Sequence, residues 1–163
     1  MSAQAFLDEI IFRFAQQADV EELVALFDGI TESIQQVGGE WEAYVVDAQA
    51  NKKVQVLTEI IASSSKVAIA EYKGEIIAAA NVQIVKNIRH GWQRAHLEEV
   101  IVKEGYRDRG VGSNLLSFIK EYCEQSGIKA IKLLCGNQLV DSQNFYEKNG
   151  FLFTDKGYRF ELE

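Results

Sequence analysis

Two stretches of this chain, Val67-Ala68-Ile69-Ala70 and Ile76-Ile77-Ala78-Ala79-Ala80, are apolar at every residue and flank a Lys73-Gly74 pair. Two such runs around a Lys-Gly turn spell a β-hairpin. A strand that is apolar on both faces must be covered on both faces. The hairpin therefore demands helices above and below it, and the rest of the chain supplies them. Asp19 is placed as a helix N-cap, with Glu22 three residues on in a capping-box position. Leu23, Leu26, Phe27 and Ile30 then recur at helical spacing up to Gly38-Gly39. Val54, Leu57, Ile60 and Ile61 mark a second helix, Leu115, Leu116, Ile119 and Cys123 a third over residues 110–127, and residues 141–149 a fourth. Residues 10–15, 94–102 and 128–134 read as strands, and 151–162 as a closing strand pair turning at Asp155-Lys156-Gly157. The expected class is α/β (α+β mixed): a single mixed, mostly antiparallel sheet with helices on both faces.

The 163 residues suit one domain, 1–163. Two cysteines and two histidines rule out a disulfide framework and a zinc site of several Cys and His ligands, so no metal is expected. No apolar run approaches the roughly 18–20 residues that cross a bilayer. The N-terminus lacks the basic start and apolar stretch of a secretory leader, so a reducing, cytoplasmic setting is the expectation. A net charge of −7 opposes nucleic acid and anionic membranes as partners. It suits a cationic small substrate, or serves only to keep the protein dispersed. The last strands could exchange or pair between subunits, which leaves a homodimer open.

The segment richest in chemistry is Val100-Ile101-Val102-Lys103-Glu104-Gly105-Tyr106-Arg107-Asp108-Arg109-Gly110-Val111-Gly112-Ser113. It reads as a strand, a turn with glycines and arginines, and a helix start. Glycine lets backbone approach a ligand closely, and the first N–H groups of a helix have no internal partner and carry the positive end of its dipole. Such a turn binds anions, and a diphosphate fits it. Gly105 and Gly110 have P-loop spacing, but Val111-Gly112 stands where Lys and Ser or Thr are required. Gly110-Val111-Gly112 opens like a dinucleotide fingerprint, but Leu115 replaces its third glycine. A third pattern, Arg-x-x-Gly-x-Gly, is complete at Arg107, Gly110 and Gly112.

With that pattern the sequence resembles the GNAT superfamily of N-acetyltransferases. Phe145-Tyr146-Glu147-Lys148-Asn149-Gly150-Phe151 resembles the family's second motif, and Phe12-Arg13-Phe14-Ala15 before Asp19 its opening strand and helix. Glu104 stands where the family usually has proline. A shorter stretch, Arg94-Ala95-His96-Leu97-Glu98-Glu99-Val100, resembles glucosamine-6-phosphate N-acetyltransferases and other small-amine acetylators.

The resemblance implies a GNAT-like fold, acetyl-CoA as acyl donor, and a small-molecule amine as acceptor. A protein or peptide acetylator and a non-catalytic acyl-CoA sensor are the alternatives. It places the CoA diphosphate on the turn of Arg107, Asp108, Arg109, Gly110, Val111, Gly112 and Ser113. The pantetheine arm falls beside Val100, Ile101 and Val102, where the strand is expected to splay from its neighbour at a bulge. Asn144 is matched to the pantetheine arm and Lys148 to a CoA phosphate, while Tyr146 is the matched proton donor to the departing thiolate. By two-residue alternation His96, Glu98, Val100 and Val102 share one face. Glu98 is the candidate general base and His96 the second. Glu99 falls on the opposite face unless a bulge reverses the parity. Cys135 invites a nucleophile reading, but neither histidine is placed to activate it, and a free cysteine usually packs as a small hydrophobe. Trp41 between Glu40 and Glu42 lies where the family forms its acceptor pocket.

Overall fold

The structure is a computed structural model describing residues 3–37, 50–154 and 157. The chain divides into two compact units, residues 1–133 and 134–163. The first contains, in order, α1 (Ala3–Asp8), β1 (Ile11–Phe14), α2 (Val20–Val37), α3 (Ala50–Ala62), β2 (Lys66–Tyr72), β3 (Glu75–Asn87), β4 (Trp92–Val102), α4 (Val111–Gln125) and β5 (Ile131–Leu133). The second holds α5 (Val140–Lys148).

The described strands form one sheet in the order β1-β2-β3-β4-β5. Neighbours run antiparallel except β4 and β5, which are parallel. The mixed, mostly antiparallel sheet expected from the hairpins is the one observed. Lys73 and Gly74 both take positive φ (53° and 81°), as the tight turn between β2 and β3 requires.

Burial explains why those strands are apolar throughout. Val67, Ile69, Ala79 and Ile101 pack with Leu23, Leu26 and Leu57 of α2 and α3. The alternate residues Ala68, Ala70, Ala78, Ala80 and Val82 point the other way and are equally buried. On α4, Leu115, Leu116, Ile119 and Cys123 are buried, and the helix packs against β2, β3 and β4. Each buried Val, Leu or Ile among them contributes about 1.5–3 kcal/mol, and each alanine less.

Local capping differs from the sequence reading. Asp19 accepts the backbone N–H of Gln16 (2.7 Å) and closes a 3-10 turn over Gln17–Asp19 that precedes α2. Its carboxylate is also gripped by Arg13, at 2.7 and 2.9 Å. Glu22 is drawn away from the helix start, because its Oε1 accepts the backbone N–H of Ile76 at 2.7 Å. A tertiary partner thus displaces the local capping box. The strand expected over 128–134 is confined to Ile131–Leu133. Residues 151–154 are not in a strand, and most of the expected closing pair lies outside the described residues, as do Gly38-Gly39 and Trp41 with Glu40 and Glu42. α1 was not anticipated from the sequence.

Candidate functional site

The site is built on the last five residues of β4. Val82 pairs with Leu97 and Ala80 with Val100, so Asn81 alone faces both Glu98 and Glu99. This is a β-bulge, with two residues opposite one. Ile101 pairs with Ala79, and Ala79 and Val82 point to opposite faces of the sheet. Leu97 and Ile101 therefore also point to opposite faces, although four residues separate them. The alternation read from sequence breaks here. His96 shares its face with Asn81, Gln83 and Ile101, and not with Val100 and Val102.

Both glutamates reach that same face. Glu98 Oε1 lies 3.5 Å from His96 Nε2, and Glu99 Oε2 accepts a hydrogen bond from Asn81 Nδ2 at 3.1 Å. The Glu98 side chain is 51% exposed. Glu99 also keeps an exposed side, but enough protein surrounds its carboxylate that burial pushes its pKa above the ordinary value. The Asn81 hydrogen bond opposes that shift, and the charge of Glu98 adds to it.

Past the bulge, β4 has a free edge. β5 pairs only with Ala95, His96 and Leu97, so from Glu98 to Val102 that edge has no strand partner among the described residues. Backbone groups in an antiparallel ladder turn alternately to the two edges. Lys103 N–H bonds to Ile77 O at 2.8 Å on the β3 side. Val100 and Val102 therefore present their peptide groups to the open side. There the Val102 carbonyl accepts a hydrogen bond from Arg107 Nε at 3.0 Å. The β5 ladder thus ends before Val100, Ile101 and Val102, the stretch expected to splay, and of the backbone groups expected to be free there the Val102 carbonyl is taken by Arg107.

The turn that follows is braced from several directions. Tyr106 donates its hydroxyl proton to Glu75 Oε2 at 3.1 Å, and Lys103 pairs with the same carboxylate. Asp108 and Gly110 take positive φ, 58° and 84°. These reversals aim the chain into α4. The first amide bonded within the helix is that of Asn114, to Gly110 O at 3.1 Å. The N–H groups of Val111, Gly112 and Ser113 thus have no hydrogen-bond partner among the described residues, as an anion cradle requires. Arg109 turns its guanidinium onto the Phe6 ring of α1. A pocket of about 330 Å³ opens beside the turn, lined by Glu22, Leu26, Gly29, Ile101, Val102 and Arg107.

The remaining candidates belong to the second unit. On α5, Tyr146 packs edge-on against Phe145 and Phe151, with ring centres 5.2 and 5.7 Å apart. Burial, helped by the nearby Cys135, pushes its pKa up to about 12. Its hydroxyl holds its proton at neutral pH and can donate it. Asn144 and Lys148 are exposed on the same helix. Burial also pushes the Cys135 thiol up, the opposite of what a thiolate nucleophile needs.

Asn81, Gln83 and Phe6 enter the site without having been singled out in the sequence. The trace of Asn81 was there: a carboxamide interrupting the apolar run of β3.

Residues 27–151 match the model of the acetyltransferase (GNAT) family. A stretch of 81 residues is 31% identical to the glucosamine 6-phosphate N-acetyltransferase of Arabidopsis thaliana, covering 49% of this chain and 52% of that protein. A stretch of 103 residues is 33% identical to the protein of the same name from Trypanosoma brucei brucei, covering 60% and 65%. The chain thus spans between half and two thirds of the length of these curated relatives. Among solved structures, a Trypanosoma brucei acetyltransferase superposes with a TM-score of 0.73 at 20% identity, over 94% of this chain and 99% of that one. An aminoglycoside acetyltransferase from an uncultured soil metagenomic sample, in complex with sisomicin, gives 0.78 at 10% identity, over 97% and 98%. These two likenesses are of fold.

Proposed function

The chain belongs to the acetyltransferase (GNAT) family, and from that premise we propose that it transfers the acetyl group of acetyl-CoA to the primary amine of a small molecule by direct attack on the thioester. The observation that carries the reading is the junction of β4 and α4. Three helix-terminal N–H groups without a hydrogen-bond partner among the described residues follow a strand edge that has no strand partner among them over Val100–Val102. The first is suited to a diphosphate and the second to the amides of a pantetheine arm, and acyl-CoA contains both.

Each residue then takes a part. Val111, Gly112 and Ser113 hold the diphosphate through backbone N–H groups, with Asp108 and Gly110 setting the direction of the turn. Arg107, Arg109 and Lys148 supply positive charge for the CoA phosphates. Val100, Ile101, Val102 and Asn144 line the pantetheine arm. An amine with a free pKa near 10 is mostly protonated at pH 7 and must lose a proton before or during attack. The carboxylates of Glu98 and Glu99 are the candidate acceptors. The neutral amine nitrogen bonds to the thioester carbonyl carbon, the C–S bond breaks, Tyr146 gives its proton to the departing thiolate, and the surplus proton on the nitrogen leaves to restore the Tyr146 hydroxyl. The names of the relatives favour an amino-sugar phosphate among small amines.

Ligand-dependent stability tests this reading. If acetyl-CoA binds with a Kd near 10 μM, 1 mM ligand stabilises the fold by about 2.7 kcal/mol. That corresponds to a rise in Tm of about 5–10 °C, with much smaller shifts from NADH and ATP. Free-thiol release is then followed across amines, amino-sugar phosphates, polyamines and aminoglycosides. Equal shifts from all three nucleotides would remove acyl-CoA as the ligand.

A further inference from the structure

The face of the sheet that carries Glu99 also carries a chain of polar side chains running in one direction. The backbone N–H of Ile84 donates to Ser65 Oγ at 3.2 Å. The Ser65 hydroxyl donates to Gln83 Oε1 at 3.0 Å. Gln83 Nε2 donates to Asn81 Oδ1 at 3.1 Å. Asn81 Nδ2 then donates to Glu99 Oε2 at 3.1 Å. Every link has the same polarity, and the first is a backbone amide, which can only donate. A carboxamide that accepts at its oxygen must offer its NH2 on the other side. The Ser65 hydroxyl has a second lone pair, so it is the ionised Glu99 carboxylate, which can only accept, that makes Asn81 meet it as a donor, and the links back to Ser65 and the Ile84 amide follow the same direction.

Ser65 and Asn81 are themselves buried, at 7% and 8% exposure. Buried polar groups that merely filled space would cost stability unless satisfied. Among the described residues their side chains are satisfied by this relay and by its end point at the bulge.

We infer that Ser65, Gln83 and Asn81 are a positioning relay that orients the Glu99 carboxylate and tunes its proton affinity, so that Glu99 rather than Glu98 accepts the amine proton. The inference rests on the acetyl-transfer reading for that role, while the relay itself concerns only Glu99. A hydrogen bond to the ionised form lowers a carboxyl pKa, against the burial and the Glu98 charge that raise it. Among the described residues, charged groups on this face include Glu98, His96 and Arg94 of β4, Lys132 of β5 opposite His96, the Asp28–Lys53 pair of α2 and α3, Glu22 of α2, and, towards the β1 edge, Arg13 with Asp19 and Glu71. Asn81 is the side chain that donates directly to Glu99.

The test uses the whole chain labelled with [13Cδ]glutamate, the Glu99 resonance being assigned by its loss in Glu99→Gln. Asn81→Ala removes the donor and should raise the Glu99 titration midpoint by half a pH unit or more. Gln83→Leu, which leaves Asn81 in place but frees its amide to turn, should raise it by less. Ser65→Ala, the mildest change, keeps the relay testable if either of the others fails to fold, and should also shift the midpoint upward. In turnover, Glu99→Gln should lower kcat by about 10²-fold or more at unchanged KM for acetyl-CoA. Asn81→Ala should move the acidic limb of the kcat/KM profile to higher pH, because the base must be deprotonated to act. A Glu99 midpoint indifferent to all three relay variants overturns the relay. Loss of kcat in Glu98→Gln but not in Glu99→Gln overturns the choice of base. A wild-type protein that releases no thiol with any amine removes the acetyl-transfer reading instead, and the titration still decides the relay.

Discussion

The guanidinium carbon of Arg109 lies 3.6 Å from the centre of the Phe6 ring, so the turn between β4 and α4 rests on α1. Phe6 is only 1% exposed. It also stacks on Tyr106, with ring centres 6.2 Å apart, and meets the edge of Tyr72 at 5.0 Å. Arg109 is exposed, and cation–π contacts at exposed sites are worth about 0.5–1 kcal/mol. Arg109→Gln should therefore destabilise the protein by roughly 0.5–1 kcal/mol. A urea-unfolding double-mutant cycle with Phe6→Leu should show that the two changes do not add. Strict additivity would mean that Arg109 is not held by the ring.

Gly110 is constrained twice. Its φ of 84° is unfavourable for any residue with a side chain, and a Cβ placed on it would stand 3.3 Å from Leu7 Cδ1. Gly110→Ala should cost about 1–2 kcal/mol from the left-handed conformation alone and should weaken acetyl-CoA binding by shifting the helix start. Adding Leu7→Ala relieves the crowding but not the conformational strain, so calorimetry should show at most partial recovery of Tm beyond the cost of Leu7→Ala itself.

Tyr146→Phe keeps the ring that packs between Phe145 and Phe151 and deletes only the hydroxyl. General acid catalysis contributes about 10²–10⁴-fold, and kcat should fall by that order. KM for acetyl-CoA should change little. A folded variant with near-normal kcat would transfer the proton-donating role to solvent.

Arg13 bridges Asp19 and Glu71, with its closest contacts at 2.7 and 2.8 Å. Its hydrogen bonds to the Asp19 carboxylate, foremost among the causes, hold the Asp19 pKa below its ordinary value. The folded state therefore binds that proton less tightly than the unfolded chain. The resulting stability is fully present above the usual carboxylate pKa of about 4 and is lost as pH falls through the depressed value. Asp19→Asn should flatten the acid limb of stability measured by urea unfolding between pH 2 and 7. A limb that stays as steep would assign it to other carboxylates.

The apolar runs around Lys73-Gly74, the spacing of Leu115, Ile119 and Cys123, and the glycines of the turn before α4 were all legible in order along the chain. They specify short-range geometry: strand or helix period, a turn needing positive φ, and a helix start with free N–H groups. These depend on residues within a few positions of one another, so the sequence by itself determined the sheet class and the place of the turn. The side on which the glutamates stand was not legible in this way. One extra residue at Glu98-Glu99 reverses the parity of everything after it, and that insertion is defined only against Asn81 on another strand. Likewise Glu22 has a sound local role as a cap partner, yet it binds Ile76, 54 residues away. In each case a distant group outcompetes a local one, because desolvated polar and charged groups gain most from the partner that the packed fold brings nearest. The tertiary structure alone decides which partner that is.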